Sequence, residues 1–153
     1  MTTFRITLHR GKSVVSRLIR WQTRGDYSHA GIILPDGRFF ESREGKGVRS
    51  FNGWVANEGE SVEFYAVQVN DQQAEEIISF LEAQLGKGYD WTMVLRFVTR
   101  EQESRASTGK WFCSELVFAA FQQAGVNLLA RTEPWEVSPG LLSRSTLLQR
   151  IDE

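Results

Sequence analysis

The sequence predicts an α+β protein in which an antiparallel β-sheet packs against helices. Three observations lead there. Alternating, strand-like stretches dominate the first 69 residues, helix-like periodicity dominates the rest, and a Pro35-Asp36-Gly37 turn joins two apolar runs directly, leaving no room for a crossover helix. With 153 residues the chain is sized for one domain, residues 1–153, with a substantial core.

The elements follow in order. FRITL (4–8) alternates apolar and polar residues and reads as a strand. KSVVSRLIRWQTR (12–24) changes period: Val14, Val15, Leu18, Ile19 and Trp21 recur near 3.6 spacing, a helix expected to pack on the core and show solvent a basic face. A membrane-surface helix carries the same pattern. Strands are expected at 28–34, 38–42, 47–51 and 62–69, the first two forming a hairpin through Pro35-Asp36-Gly37. Asp71 is placed to cap a helix over 72–85 that Gly86 and Gly88 end, and 89–99 reads as a further helix. Residues 99–109 are polar and irregular, a surface loop. Helix 111–124 stops at Gly125, and Ser138-Pro139 opens a last helix, with Ser as N-cap and Pro in the first turn.

Composition narrows the function classes. A net charge of −1 gives no global attraction to nucleic acid. Residues 1–25 nevertheless hold Arg5, Arg10, Lys12, Arg17, Arg20 and Arg24 and no acid, which reads as a solvated basic face and leaves an anionic partner open. One cysteine excludes an internal disulfide, and one cysteine with two histidines is too few for the usual structural zinc site, so no metal is expected. The N-terminus has no apolar run of signal-peptide length, and no stretch approaches the roughly 18 apolar residues that span a bilayer. The expectation is a cytoplasmic protein as encoded, without stable membrane insertion, reaching any wall substrate by another route.

The reactive candidates are few. Cys113 opens the helix at WFCSELVFAAF and shares its inward face with Val117 and Ala120, where a structural cysteine would also sit. The first helical turn, however, stabilises a thiolate and presents N–H groups to an oxyanion. A nucleophile needs a base, and the base an orienting group. His9, before Arg10-Gly11, reads as an exposed strand-end residue. His29 opens SHAGIIL on the face shared with Gly31 and Ile33, either a satisfied strand residue or a base. A hairpin about 35–37 pairs residue 31 with residue 41 and brings Glu41 near His29, unless Glu41 is simply a surface strand residue.

SHAGIILPDGRFFES is similar to the histidine hairpin of the NlpC/P60 cysteine peptidases, in which the third polar residue follows the histidine by about a dozen positions; Glu41 follows His29 by twelve. LGKGYDW (85–91) and FCSELV (112–117) resemble that family's tyrosine stretch and cysteine helix start. Here the histidine precedes the cysteine, an order that resembles the circularly permuted, papain-like YiiX/YaeF branch, to which lecithin:retinol acyltransferase-like enzymes are related. The resemblance covers roughly residues 3–142. It implies Cys113 as nucleophile, His29 as general base and acid, Glu41 as the group orienting the imidazole, Tyr89 near the oxyanion site and Ser114 lending its backbone N–H. Glu115 suits the first helical turn structurally.

The function these residues imply is a cysteine hydrolase or amidase working through a thioacyl-enzyme, with a peptide or peptidoglycan stem-peptide amide as substrate and neither metal nor organic cofactor. An acyltransferase or lipid ester or thioester hydrolase is the alternative, which the basic 12–24 helix and Trp21 or Trp54 fit. A non-catalytic binding module is the third reading; the complete Cys113, His29 and Glu41 set counts against it. Substrate choice would belong to the loops at 43–60 and 99–110.

Overall fold

The computed structural model describes residues 1–54, 57, 59–94 and 109–152. Its strands are β1 (Thr2–Arg10), β2 (His29–Ile33), β3 (Arg38–Arg43), β4 (Gly47–Asn52), β5 (Ser61–Val69), β6 (Gly88–Tyr89), β7 (Lys110–Trp111) and β8 (Gln149–Ile151). Its helices are α1 (Val14–Thr23), α2 (Asp71–Gln84), α3 (Cys113–Gln123) and the single turn α4 (Pro139–Leu142), with a 3-10 turn at Pro134–Glu136. β4-β3-β2-β1-β5-β8 form an antiparallel sheet, and β6 and β7 a short parallel pair. This is the expected α+β architecture. Among the described residues no helix is long and apolar enough to cross a membrane.

Strand alternation divides the sheet. Phe4, Ile6 and Leu8 of β1, with Ala30 and Ile32 of β2, Phe40 of β3 and Val67 of β5, join Ile77 and Leu81 of α2 and Leu116, Val117 and Phe121 of α3 in one continuous core. Both helices therefore cover one face. Burying such side chains contributes about 1.5–3 kcal/mol each before conformational entropy is subtracted. On the other face Ile33, Phe39 and Phe64 pack with Trp54, Val62 and Ile151. Thr7, His9, His29 and Gly31 share that second face, since Thr7 pairs with Gly31 and His9 with His29.

The β2–β3 hairpin forms as the Pro-Asp-Gly turn requires. Gly37 adopts φ +88°, its N–H bonds the Leu34 carbonyl at 2.9 Å, and Ile32 pairs with Phe40 and Ile33 with Phe39. Asn70, one residue ahead of the expected Asp71, caps α2 by accepting from Gln73 N–H, while Gln73 accepts from Asn70 N–H.

Three expectations change. The helix expected over 89–99 is preceded by β6 and is helical at 91–94, and its remainder, like most of the 99–109 loop, lies outside the described residues. The C-terminal helix is one turn, followed by β8 on the edge of the sheet. Val14, Leu18 and Trp21 of α1, read as core-facing, are exposed, and Ile19 is the fully inward residue.

Candidate active site

The site is built where α3 begins, beside β2 and β3. Four hydrogen bonds set the start of this helix. Ser42 Oγ of β3 donates to the Trp111 carbonyl at 2.6 Å, and Asp90 N–H donates to the same oxygen at 3.1 Å. Ser114 Oγ donates to the Val137 carbonyl at 2.6 Å, tying the first turn to the 3-10 segment. Glu115 accepts from Phe112 N–H at 3.2 Å, half of a capping box and the structural role expected of it. Ser114's hydroxyl is thus used for packing; its backbone N–H belongs to the first helical turn, whose donors have no partner within the helix itself.

Cys113 is fully buried in a cluster with Tyr89, Met93, Val94 and Phe112, closed on another side by Ile19 and Val15 of α1. Its thiol lies close enough to His29 to be among the groups that raise the imidazole's pKa. His29 Nε2 in turn lies 2.6 Å from Glu41 Oε2, which leaves Nδ1 to face the sulfur. Glu41 is 1% exposed and saturated: Arg49 Nε and Nη2 donate to Oε1 at 2.9 and 2.6 Å, and Arg43 Nη1 approaches Oε2 at 3.5 Å. Arg49 stands directly across from Glu41 in the β3–β4 ladder.

The electrostatics follow from this chain of contacts. Burial opposes a charged imidazole, but the interactions with Cys113 and Glu41 outweigh it and push the His29 pKa up to about 10. Burial also opposes a charged Glu41, yet His29 and the two arginines hold it down at about 2. Tyr89 is buried against Phe112, with ring centroids 5.8 Å apart, and burial together with the nearby Cys113 raises its pKa.

Cys113, His29 and Glu41 therefore meet, with Tyr89 packed beside the cysteine. His9 departs from expectation. It is buried, its ring lies edge-to-face on His29 at 5.0 Å, Nε2 is 2.8 Å from Thr7 Oγ1, and Nδ1 faces Glu60 Oε1 at 3.2 Å without a well-aligned hydrogen bond. Burial lowers its pKa, and the carboxylate beside Nδ1 favours the proton there, leaving Nε2 to accept from Thr7. Strand alternation alone would have set His9 on the His29 face; its burial comes from Trp54, packed against it at 6.2 Å, and from Glu60.

No protein-family profile matches the chain, and no curated protein matches its sequence. Among solved structures, the metalloprotein YiiX from Escherichia coli O157:H7, of domain family DUF1105, superimposes with a TM-score of 0.68. The fold is similar to that of YiiX. The match covers 99% of this chain and 97% of that one at 17% identity, so the likeness is one of fold.

The word metalloprotein belongs to YiiX. Among the described residues here, no group of three or more His, Cys, Asp or Glu side chains could hold a metal ion. The donor chemistry explains why: His29 and both Glu41 oxygens are taken up by each other, by Cys113 and by Arg49 and Arg43. Two guanidinium groups beside the carboxylate would also repel a cation.

Proposed function

We propose that the protein is a cysteine-dependent acyl-transfer hydrolase. The observation that carries this reading is His29, hydrogen-bonded to Glu41 and electrostatically coupled to the thiol at the start of α3. A structural cysteine has no need of a buried imidazole–carboxylate pair, whose desolvation is costly unless it is paired.

In the proposed reaction the proton shared by the pair rests on His29, and Cys113 Sγ attacks the substrate carbonyl carbon. The carbonyl oxygen takes up the electron pair as an oxyanion, held by backbone N–H groups at the start of α3. Collapse breaks the bond to the leaving group, which takes the His29 proton, and a thioacyl-enzyme remains. Water then attacks the thioester carbonyl while His29 accepts its proton; the C–S bond breaks and the acid leaves. Glu41 acts through His29, holding ring orientation and charge, and Arg49 and Arg43 hold Glu41.

A peptide or cell-wall amide is the substrate class that the NlpC/P60 resemblance supports. An acyl ester or thioester is the second reading, favoured by the exposed apolar residues of α1 behind the cysteine cluster. Turnover assays on peptidoglycan stem peptides and on long-chain acyl esters, run beside Cys113→Ala, test both. Hydrolysis of either class that Cys113→Ala abolishes supports the proposal; no turnover of either class, with Cys113 reacting with iodoacetamide equally in the native protein and in His29→Ala, overturns it.

A further inference from the structure

Helix α1 has two unlike sides. Ile19 and Val15 point inward and pack into the cluster around Cys113. Outward stand Val14, Leu18 and Trp21, at 81%, 40% and 73% exposure. At i, i+4 and i+7 they fall within about 60° of arc, a continuous apolar stripe rather than scattered residues. Exposed Arg17 lies beside the stripe, with Lys12 and Arg24 exposed at the two ends of the helix. No acid occurs before Asp26. Ser13 caps the helix, its Oγ accepting from Ser16 N–H at 3.0 Å, so the stripe sits on a formed helix.

We propose that α1 is an interfacial docking element that seats the protein on an anionic lipid bilayer, with Val14, Leu18 and Trp21 entering the headgroup–acyl boundary and Arg17, Lys12 and Arg24 meeting lipid phosphates. Charge decides for this occupant. A stripe meant for a second copy of the chain would bring two basic rims together, whereas a bilayer bearing phosphodiester anions pairs with them. The indole of Trp21 suits the same depth, with an apolar ring and one polar N–H. Because the inner side of α1 walls the Cys113 cluster, docking would bring that cluster close to the lipid surface. The proposal concerns binding and stands apart from the thiol chemistry.

The test is co-sedimentation of the full chain with phosphatidylcholine vesicles, with and without phosphatidylglycerol. The expected result is partition onto the phosphatidylglycerol vesicles that weakens as salt rises. Leu18→Ser with Trp21→Ser should lower it at least tenfold. Arg17→Glu with Arg24→Glu should lower it by more than tenfold, at about fivefold per charge. Both pairs are exposed, and an unchanged melting temperature confirms folding. Cys113→Ala should bind as the native protein does, so a failure of the catalytic reading is separable from a failure of docking. Equal partition of the native protein and the Leu18/Trp21 variant overturns the proposal. So does a lack of binding to either vesicle. Self-association in sedimentation velocity that the Leu18/Trp21 pair abolishes assigns the stripe to a second copy and equally overturns it.

Discussion

The orientation of one ring, His29, sets what this site can do. Its Nε2 is bound by a carboxylate that two arginines keep ionised, so the ring cannot turn away without leaving the buried Glu41 Oε2 short of its nearest partner. Glu41→Gln keeps the volume and removes the charge. It is expected to lower kcat/KM by about two to three orders of magnitude, since orientation and charge are lost together. It should also move the alkaline limb of the pH–rate profile down from about 10, because a carboxylate that raises the His29 pKa is gone. Arg49→Ala, which removes two donors to Glu41 Oε1, should shift that limb less, because the Glu41–His29 bond remains. Activity profiles of the two variants on one substrate check both outcomes.

At the scale of elements, the site depends on close approaches that small residues permit. A Cβ at Gly31 would lie 2.3 Å from the Phe39 ring and 3.0 Å from Thr7 Oγ1. Phe39 is buried and has nowhere to yield, so Gly31→Ala should destabilise the fold by about 1–3 kcal/mol in urea titration. Ser42→Ala removes the bond that ties β3 to Trp111 of β7, two residues ahead of α3. The Trp111 carbonyl retains Asp90 N–H, so a loss of only about 1 kcal/mol is expected, read in the same titration, together with slower turnover as the start of α3 loosens. The hairpin itself was legible in the sequence, because Pro-Asp-Gly dictates a tight turn and strand period then fixes which residues oppose. The two-residue strands β6 and β7 were not legible: no periodicity exists over two residues, and their pairing follows from how chain segments more than twenty residues apart are held. β8 was missed for a related reason, since Gln149–Ile151 is short, largely exposed and a strand only through its pairing with β5.

Across the whole molecule, buried ionisable groups give stability a defined pH window. Glu41 and Glu60, each held down at about 2 against an ordinary 4.5 in spite of burial, stabilise the fold above 4.5, and that contribution is lost as pH falls through 2. His29, raised to about 10 from 6.5 by Cys113 and Glu41 against the effect of burial, contributes fully below 6.5 and loses its contribution as pH rises through 10. Melting temperature should therefore decline on both sides of a maximum near pH 6.5, since His9, whose pKa burial lowers, adds a loss that begins as pH falls below 6.5. Glu60→Gln should flatten the acid limb and leave the alkaline limb in place, whereas His29→Gln should flatten the alkaline limb; calorimetric scans across pH separate the two.

The sequence by itself determined the local devices: a hairpin that sets Glu41 beside His29, a helix with Cys113 in its first turn, and a basic helix near the N-terminus. Each rests on turn chemistry, capping or periodicity, which act over a few residues. Only the tertiary structure decided that Cys113 meets His29, that His9 is buried against the same ring, and that Val14, Leu18 and Trp21 face solvent. Those outcomes depend on sheet order and on which side of a helix the core claims. Both are set by packing between segments remote in the chain, so an apolar stripe in a sequence shows that a helix has two sides without showing which one is buried.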